Sequence, residues 1–165
     1  NPWMQESSNK IIQAGEIVSF DTDMVGPYGY CADISRTYVE GNKFNDNQKK
    51  LYLMAVDQIH FNSRLIKPGM SFKEFTEKSW VLPEEYYGNR YSVMVHGIGL
   101  CDEWPAIRYP TDGGERTGRF ETNMTITVES YIGKVGGKEG VKLEQQYLVG
   151  QNGLELMSHH PLEDI

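Results

Sequence analysis

Between Phe20 and Tyr38 the chain reads FDTDMVGPYGYCADISRTY, which places Asp21, Asp23 and Asp33 in a segment otherwise composed like a β-hairpin. Aspartate is depleted in strands, and like charges facing each other across a strand pair repel. A chain that keeps three of them there needs something to offset the repulsion. Gly26-Pro27-Tyr28-Gly29 has turn composition and separates two β-prone runs, 16–24 and 28–40. A turn centred near Tyr28 sets Asp23 opposite Asp33, while Asp21, two residues before Asp23, points to the same face. The three carboxylates then converge.

A second hairpin repeats the pattern. MTITVESYIG (124–133) and VKLEQQYLV (141–149) alternate like strands around the glycine-rich KVGGKEG, and folding about Gly136-Gly137 sets Glu129 opposite Glu144. Between the hairpins the spacing predicts a helix from Asn45, capped with Gln48 reaching back, to Ile66, just before Pro68-Gly69. Leu51, Met54, Ala55 and Ile59 share one face of it. A shorter helix is expected from Ser71, with Glu74 in capping-box spacing, burying Phe72 and Phe75 and ending before Pro83. Residues 88–118 are rich in Gly, Pro, Tyr and Arg. They carry YSVMVHGIGLCDEWP, a strand entering a glycine-bent loop of the kind that often holds a site.

The 165 residues, 39% hydrophobic and 24% charged, suit one globular domain with a sizeable core. A net charge of −7 argues against a nucleic-acid groove and leaves room for cationic ligands or metal ions. Neither a membrane span nor a signal peptide is visible, so a cytoplasmic location is the default and no membrane partner is expected. Cys31 and Cys101 are too few for a disulfide framework and too far apart for a CxxC zinc site. The chain opens at Asn1, close to strand-like sequence, and an N-terminal truncation of a larger protein is expected. Asn123-Met124-Thr125 matches a glycosylation acceptor without secretory context, and His159-His160 is expected to face solvent.

Together Asp21, Asp23, Asp33, Glu129, Glu144 and His96 form an oxygen-rich ligand set with one imidazole, large enough for two divalent or trivalent ions. Any one of them alone has an ordinary explanation: an aspartate near a turn usually caps it, and a glutamate on a strand usually faces water. The joint pattern needs matching phases on two hairpins and a histidine before glycines, and bridging cations would turn the repulsion into attraction.

DTDM with GYCADISRTY, then HGIGL, TVESYIG and LEQQYLV, in that order, resemble the pita-bread fold shared by creatinase, prolidase, aminopeptidase P and methionine aminopeptidase, from about Ile12 to the C-terminus. The resemblance implies an α+β fold of antiparallel β-hairpins with flanking helices. The chain would form the C-terminal portion of the pita-bread catalytic domain, residues 1–165, with the amino-terminal domain and the first catalytic elements absent. Asp21 and Asp23 stand twelve and ten residues before Asp33, neither being the usual peptidase spacing. Where the peptidases generally carry a second histidine beyond HGxGL, this chain reads Cys101-Asp102-Glu103-Trp104. The doubled aspartate, Tyr91 and CDEWP resemble instead the branch containing the dimethylsulfoniopropionate lyases of the DddP type, which release dimethyl sulfide and acrylate.

That resemblance implies Asp102 as the base and Tyr91 as a substrate-contacting or proton-handling residue. His96 and the five carboxylates would hold two metal ions; iron is the metal suggested, and the ligand types equally allow manganese or zinc. Tyr91 and Trp104 are candidate aromatic faces for a small-molecule sulfonium substrate, with an ordinary core or rim role as the alternative. Asp102 has two alternatives, a solvated loop acid or a further metal contact. Members of the fold commonly dimerise, so a homodimer of the full-length protein is expected. Two rivals stand beside the lyase: an X-Pro metallopeptidase using the same metals to activate water, and a metal-free interaction module on this fold.

Overall fold

The computed structural model describes residues 9–41, 43–162 and Ile165. Their fold class is α+β. The element order is β1 (Ile17–Asp21), β2 (Met24–Val25), β3 (Cys31–Ala32), β4 (Ser35–Val39), α1 (Asp46–Leu65), α2 (Phe72–Lys78), α3 (Glu84–Tyr87), β5 (Val93–Gly97), β6 (Ala106–Arg108), β7 (Thr125–Gly133), β8 (Gly140–Val149) and β9 (Leu154–Leu156).

The first hairpin forms in the expected register, but not as one ladder. β1 pairs antiparallel with β4, from Ile17 opposite Val39 to Asp21 opposite Ser35, and β2 pairs with β3, Met24 opposite Ala32. Asp23 has φ 34°, a left-handed backbone that a strand cannot contain. The alternation that would put Asp21 and Asp23 on one face is therefore broken, and a bend brings their carboxylates together instead. The turn centres on Tyr28, itself at φ 62° between Pro27 and Gly29.

A five-stranded antiparallel sheet in the order β6-β5-β7-β8-β9 carries the rest. Its longest ladder, β7 with β8, sets Glu129 opposite Glu144, and His96 of β5 lies opposite Thr127 of β7. Because side chains alternate, His96, Thr127, Glu129, Lys142, Glu144 and Gln146 share one face. The other face presents Ile126, Val128, Ile132, Val141 and Leu143 to the core.

Helix α1 covers that apolar face with Leu51, Tyr52, Ala55, Val56 and Ile59, all buried. Burying each large side chain contributes about 1.5–3 kcal/mol. Asn45 caps the helix in a full capping box: its side chain accepts from Gln48 N–H, and the Gln48 side chain accepts from Asn45 N–H. Two polar residues of the inner face are held by hydrogen bonds, Gln58 through both ends of its amide and Asn62 through its carbonyl oxygen alone, its Nδ2 being buried without a partner. Gln58 donates to the Tyr109 hydroxyl at 2.5 Å and accepts from Ser130 Oγ at 2.6 Å, and Asn62 Oδ1 accepts from Trp80 N at 2.9 Å. Helix α2 begins at its Ser71 cap and buries Phe72 and Phe75, but ends at Lys78, well short of Pro83.

The first hairpin docks on β8 through polar contacts. Thr37 Oγ1 donates to the Lys142 carbonyl at 2.6 Å. The buried Arg36 guanidinium donates to the carbonyls of Glu144, His160 and Pro161 at 2.6, 2.6 and 2.8 Å. Arg36 thus ties the strand carrying Glu144 to the tail segment beyond β9. His159 and His160 are exposed, as expected. Among the described residues no helix is long and apolar enough to cross a membrane.

Candidate metal centre

The two hairpins and β5 bring five carboxylates and one imidazole to a single place. Carboxylate oxygens of Asp21, Asp23 and Asp33 lie within 4.8 Å of one another, and so do ligand atoms of Asp33, His96 and Glu144. Asp33 belongs to both groups and joins them. His96 Nε2 stands 3.1 Å from Glu144 Oε1, 3.7 Å from Asp33 Oδ2 and 3.8 Å from Glu129 Oε1. Donors about 2.1 Å from one ion at right angles lie about 3 Å from each other, so this spacing is close to that of a ligand shell.

The local backbone explains how the acids converge. Thr22 Oγ1, between the two aspartates, accepts from Ile34 N–H at 3.0 Å, and the Gln146 side chain accepts from Asp33 N–H at 3.2 Å. These contacts pin Asp33 between β1 and β8. His96 Nδ1 is 3.0 Å from its neighbour's carbonyl, Gly97 O. Donating there leaves Nε2 as the nitrogen facing the carboxylates, the usual orientation for an imidazole ligand.

Unbalanced negative charge shows in the titration of Asp33, Glu129 and His96. Burial, reinforced by Glu144, Asp21 and Asp23, pushes the Asp33 carboxyl up to about 8. Burial pushes Glu129 up to about 8 even with the Lys142 ammonium beside it. Burial opposes ionisation of Glu144 as well, but Lys142 and His96 prevail and hold it down at about 2. Burial disfavours a charged His96, yet the hydrogen bond to Glu144 and the nearby Glu129 push it up to about 10. Without another cation the cluster has to retain protons.

Two observations fit a metal ion in particular. Glu129 Oε1 is buried, faces His96 and has no hydrogen-bond partner. Ser35 Oγ is 2.6 Å from Asp21 Oδ1 and 2.9 Å from Glu144 Oε2, and its one hydrogen cannot serve both carboxylates. Glu129 Oε1, and Asp21 Oδ1 whenever Ser35 turns to Glu144, are acceptors a positive centre would satisfy, whereas Glu144 Oε2 already has the Lys142 ammonium 3.4 Å away. Oxygen donors with a single imidazole suit manganese, iron or zinc.

Beside the cluster lies a cavity of about 340 Å³ lined by Asp21, Asp23, Asp33, Tyr91, Glu103, Glu129, Lys142 and Glu144. The expected contact Tyr91 is on its wall, and burial, with Glu129 and Glu103 nearby, pushes the phenol well above its ordinary range. Tyr91 therefore keeps its proton. Asp102 is half-buried on the 98–105 loop, outside the cavity wall, where its Oδ1 accepts from Glu103 N–H at 3.1 Å. Trp104 is 60% exposed and also off the wall. The structure thus gathers the six expected ligands and Tyr91, and leaves Asp102 and Trp104 at the edge.

Two wall residues were not anticipated. Lys142 is buried, paired to Glu129 and 3.4 Å from Glu144 Oε2; its position two residues before Glu144 put it in phase with that ligand, and this was the signal available. Glu103 reaches within 3.9 Å of His96 Nε2, and nothing in the local pattern set it apart from Asp102. Gly97 allows the loop to close over the site: a Cβ there would lie 2.1 Å from the Trp104 carbonyl oxygen.

Residues 1–151 match metallopeptidase family M24. The chain is 40% identical, over 99% of its length, to the dimethylsulfoniopropionate lyase DddP of Roseovarius nubinhibens, and it spans 37% of that protein. It is 31% identical to the Xaa-Pro dipeptidase of Pyrococcus furiosus over 92% of the chain, spanning 42% of that relative. The solved prolidase from Pyrococcus furiosus superposes with a TM-score of 0.74 at 29% identity, covering 91% of this chain and 43% of that one.

Proposed function

This chain belongs to metallopeptidase family M24 and has its pita-bread fold, and from that premise we propose that its full-length parent is a metal-dependent lyase cleaving dimethylsulfoniopropionate to dimethyl sulfide and acrylate. The observation carrying the reading is the cluster with the loop beside it: six potential ligands converge, while the loop beyond HGIGL offers Glu103 on the wall, Asp102 at its edge and no second histidine. Likeness to the Roseovarius lyase over 99% of the chain supports it. The chain spans 37% of that relative, so the remaining pocket and the amino-terminal domain are assigned to the rest of the parent.

In the proposed reaction Asp21, Asp23, Asp33, His96, Glu129 and Glu144 hold two metal ions, iron being the first candidate and manganese or zinc the others. When bound, such ions supply positive charge that stabilises the carboxylate end of the substrate as negative charge builds on it. Asp102 takes the proton from the carbon beside that carboxylate. The electrons of the broken C–H bond form the double bond of acrylate, and the carbon–sulfur pair leaves with neutral dimethyl sulfide. Tyr91, held protonated, donates a hydrogen bond to the substrate carboxylate. The proposed assembly is a homodimer of the full-length protein, with the sulfonium compound as its small-molecule partner.

Detection of dimethyl sulfide above a mixture of the parent and dimethylsulfoniopropionate tests the reading, with Asp33→Ala as the ligand-deficient control. Release by the parent and at least about a 100-fold loss in the control are expected. No release from fully metallated parent would overturn it. Likeness to the Pyrococcus dipeptidase keeps X-Pro hydrolysis as the second reading, and free proline from X-Pro dipeptides would select it.

A further inference from the structure

The cavity wall contains one carboxylate, Glu103, that the proposed ligand set does not use. Glu129 and Glu144 have side chains 1% exposed, whereas that of Glu103 is 49% exposed, so Glu103 stands at the mouth. Among the described residues no lysine or arginine pairs with it, and its one ion-pair neighbour is His96, with Nε2 3.9 Å away. Lys142 attracts Glu103 from the same wall but is committed to Glu129 and Glu144, which leaves Glu103 as the carboxylate at the mouth with no cation of its own. Its position is fixed from both sides. Its backbone is left-handed at φ 63°, its N–H is taken by Asp102, and the next residue's carbonyl rests against Gly97.

A zwitterion whose carboxylate lies at the deep, buried end carries its cation two methylene groups further out, toward the mouth. We propose that Glu103 is the cation subsite of this cavity, receiving the positively charged head of the substrate and selecting sulfonium or quaternary ammonium carboxylates over neutral carboxylates of the same shape. The inference rests on the lyase reading for the orientation of the substrate. Opposite unit charges at the edge of a protein site favour the cation by about tenfold once solvent screening is allowed for.

The test uses the metallated full-length parent and two unreactive probes measured by calorimetry. One is the substrate analogue with trimethylammonium in place of the sulfonium group; the other is its neutral isostere, with a tert-butyl group there. The parent is expected to bind the cation about tenfold more tightly than the isostere. Glu103→Gln is expected to abolish that difference, with the isostere's affinity changed less than about twofold and metal content unchanged. Glu103→Asp should keep part of the preference. Persistence of the full preference in Glu103→Gln, or loss of metal in that variant, would overturn the proposal. The two readings fail separately. A preference lost in Glu103→Gln without dimethyl sulfide release by the parent leaves the subsite standing and removes the lyase; release with an undiminished preference does the reverse.

Discussion

Glu129 has one oxygen held by Lys142 and the other accepting nothing, and an unmet buried acceptor costs on the order of 1–3 kcal/mol. That balance makes Lys142 a sensitive position. In chelated parent, Lys142→Met leaves the buried Glu129 without its ammonium and Glu144 with His96 alone, and a destabilisation of about 3–5 kcal/mol is expected in denaturant melts. The loss should shrink when metal is present, since the ions take over part of the charge compensation. Acidity gives a second test. In the metal-free fold Asp33 and Glu129 keep their protons up to about pH 8, whereas in the unfolded chain they lose them near pH 4. The fold then binds more protons, and stability falls as pH rises from 5 to 8. His96, raised to about 10, adds to that fall above its ordinary 6.5; Glu144, held at about 2, contributes stability lost only as the pH falls toward that value. Chelated parent should melt lower at pH 8 than at pH 5, and metallated parent the reverse, because protons compete with the ions for the same oxygens; equal slopes would refute this. At this scale the aspartates and glutamates were legible because charge in a strand is anomalous. Lys142 and Glu103 were harder to find, since a lysine in a strand and an acid in a loop are ordinary until their neighbours from distant sequence are known.

The elements that place these residues owe their register to turns. Tyr28 and the Gly136-Gly137 pair sit at the centres of the two hairpins, and the facing of Glu129 and Glu144 follows from the second centre alone. Helix α1 was legible for the same reason, its ends being marked by Asn45 with Gln48 and by Pro68. Asn45→Ala is expected to cost about 1 kcal/mol in thermal melts. The short element β9 had no such marker, being set by its pairing with β8. The left-handed bend at Asp23 was equally hidden, because tertiary contacts impose it on a residue whose sequence context reads as strand. Gly97 offers the sharpest test of an element's role. Gly97→Ala would force the 102–105 segment away from β5, so activity is expected to drop by about 100-fold while metal content, set by the strands, is retained. Loss of metal in that variant would show instead that the loop supports the ligands.

Across the whole molecule, the hairpin tip and the loop beside it leave Met24, Val25, Tyr28, Leu100 and Trp104 exposed, Tyr28 by 97%. Exposed apolar surface of this kind favours association. The 165-residue chain by itself is expected to bind a hydrophobic dye and to sediment faster as its concentration rises; a concentration-independent monomer would count against this. Asp21 and Glu144, joined through Ser35, have a further consequence, in time rather than space. A ribosome adding roughly 5–20 residues per second delivers Glu144 about 6–25 s after Asp21, 123 positions later. During that interval the nascent chain displays three aspartates first, then His96, 75 positions after Asp21, and Glu129, 108 positions after it, with Glu144 the last of the six to arrive. The six side chains can therefore converge only after β8 has been made and has docked on the hairpin.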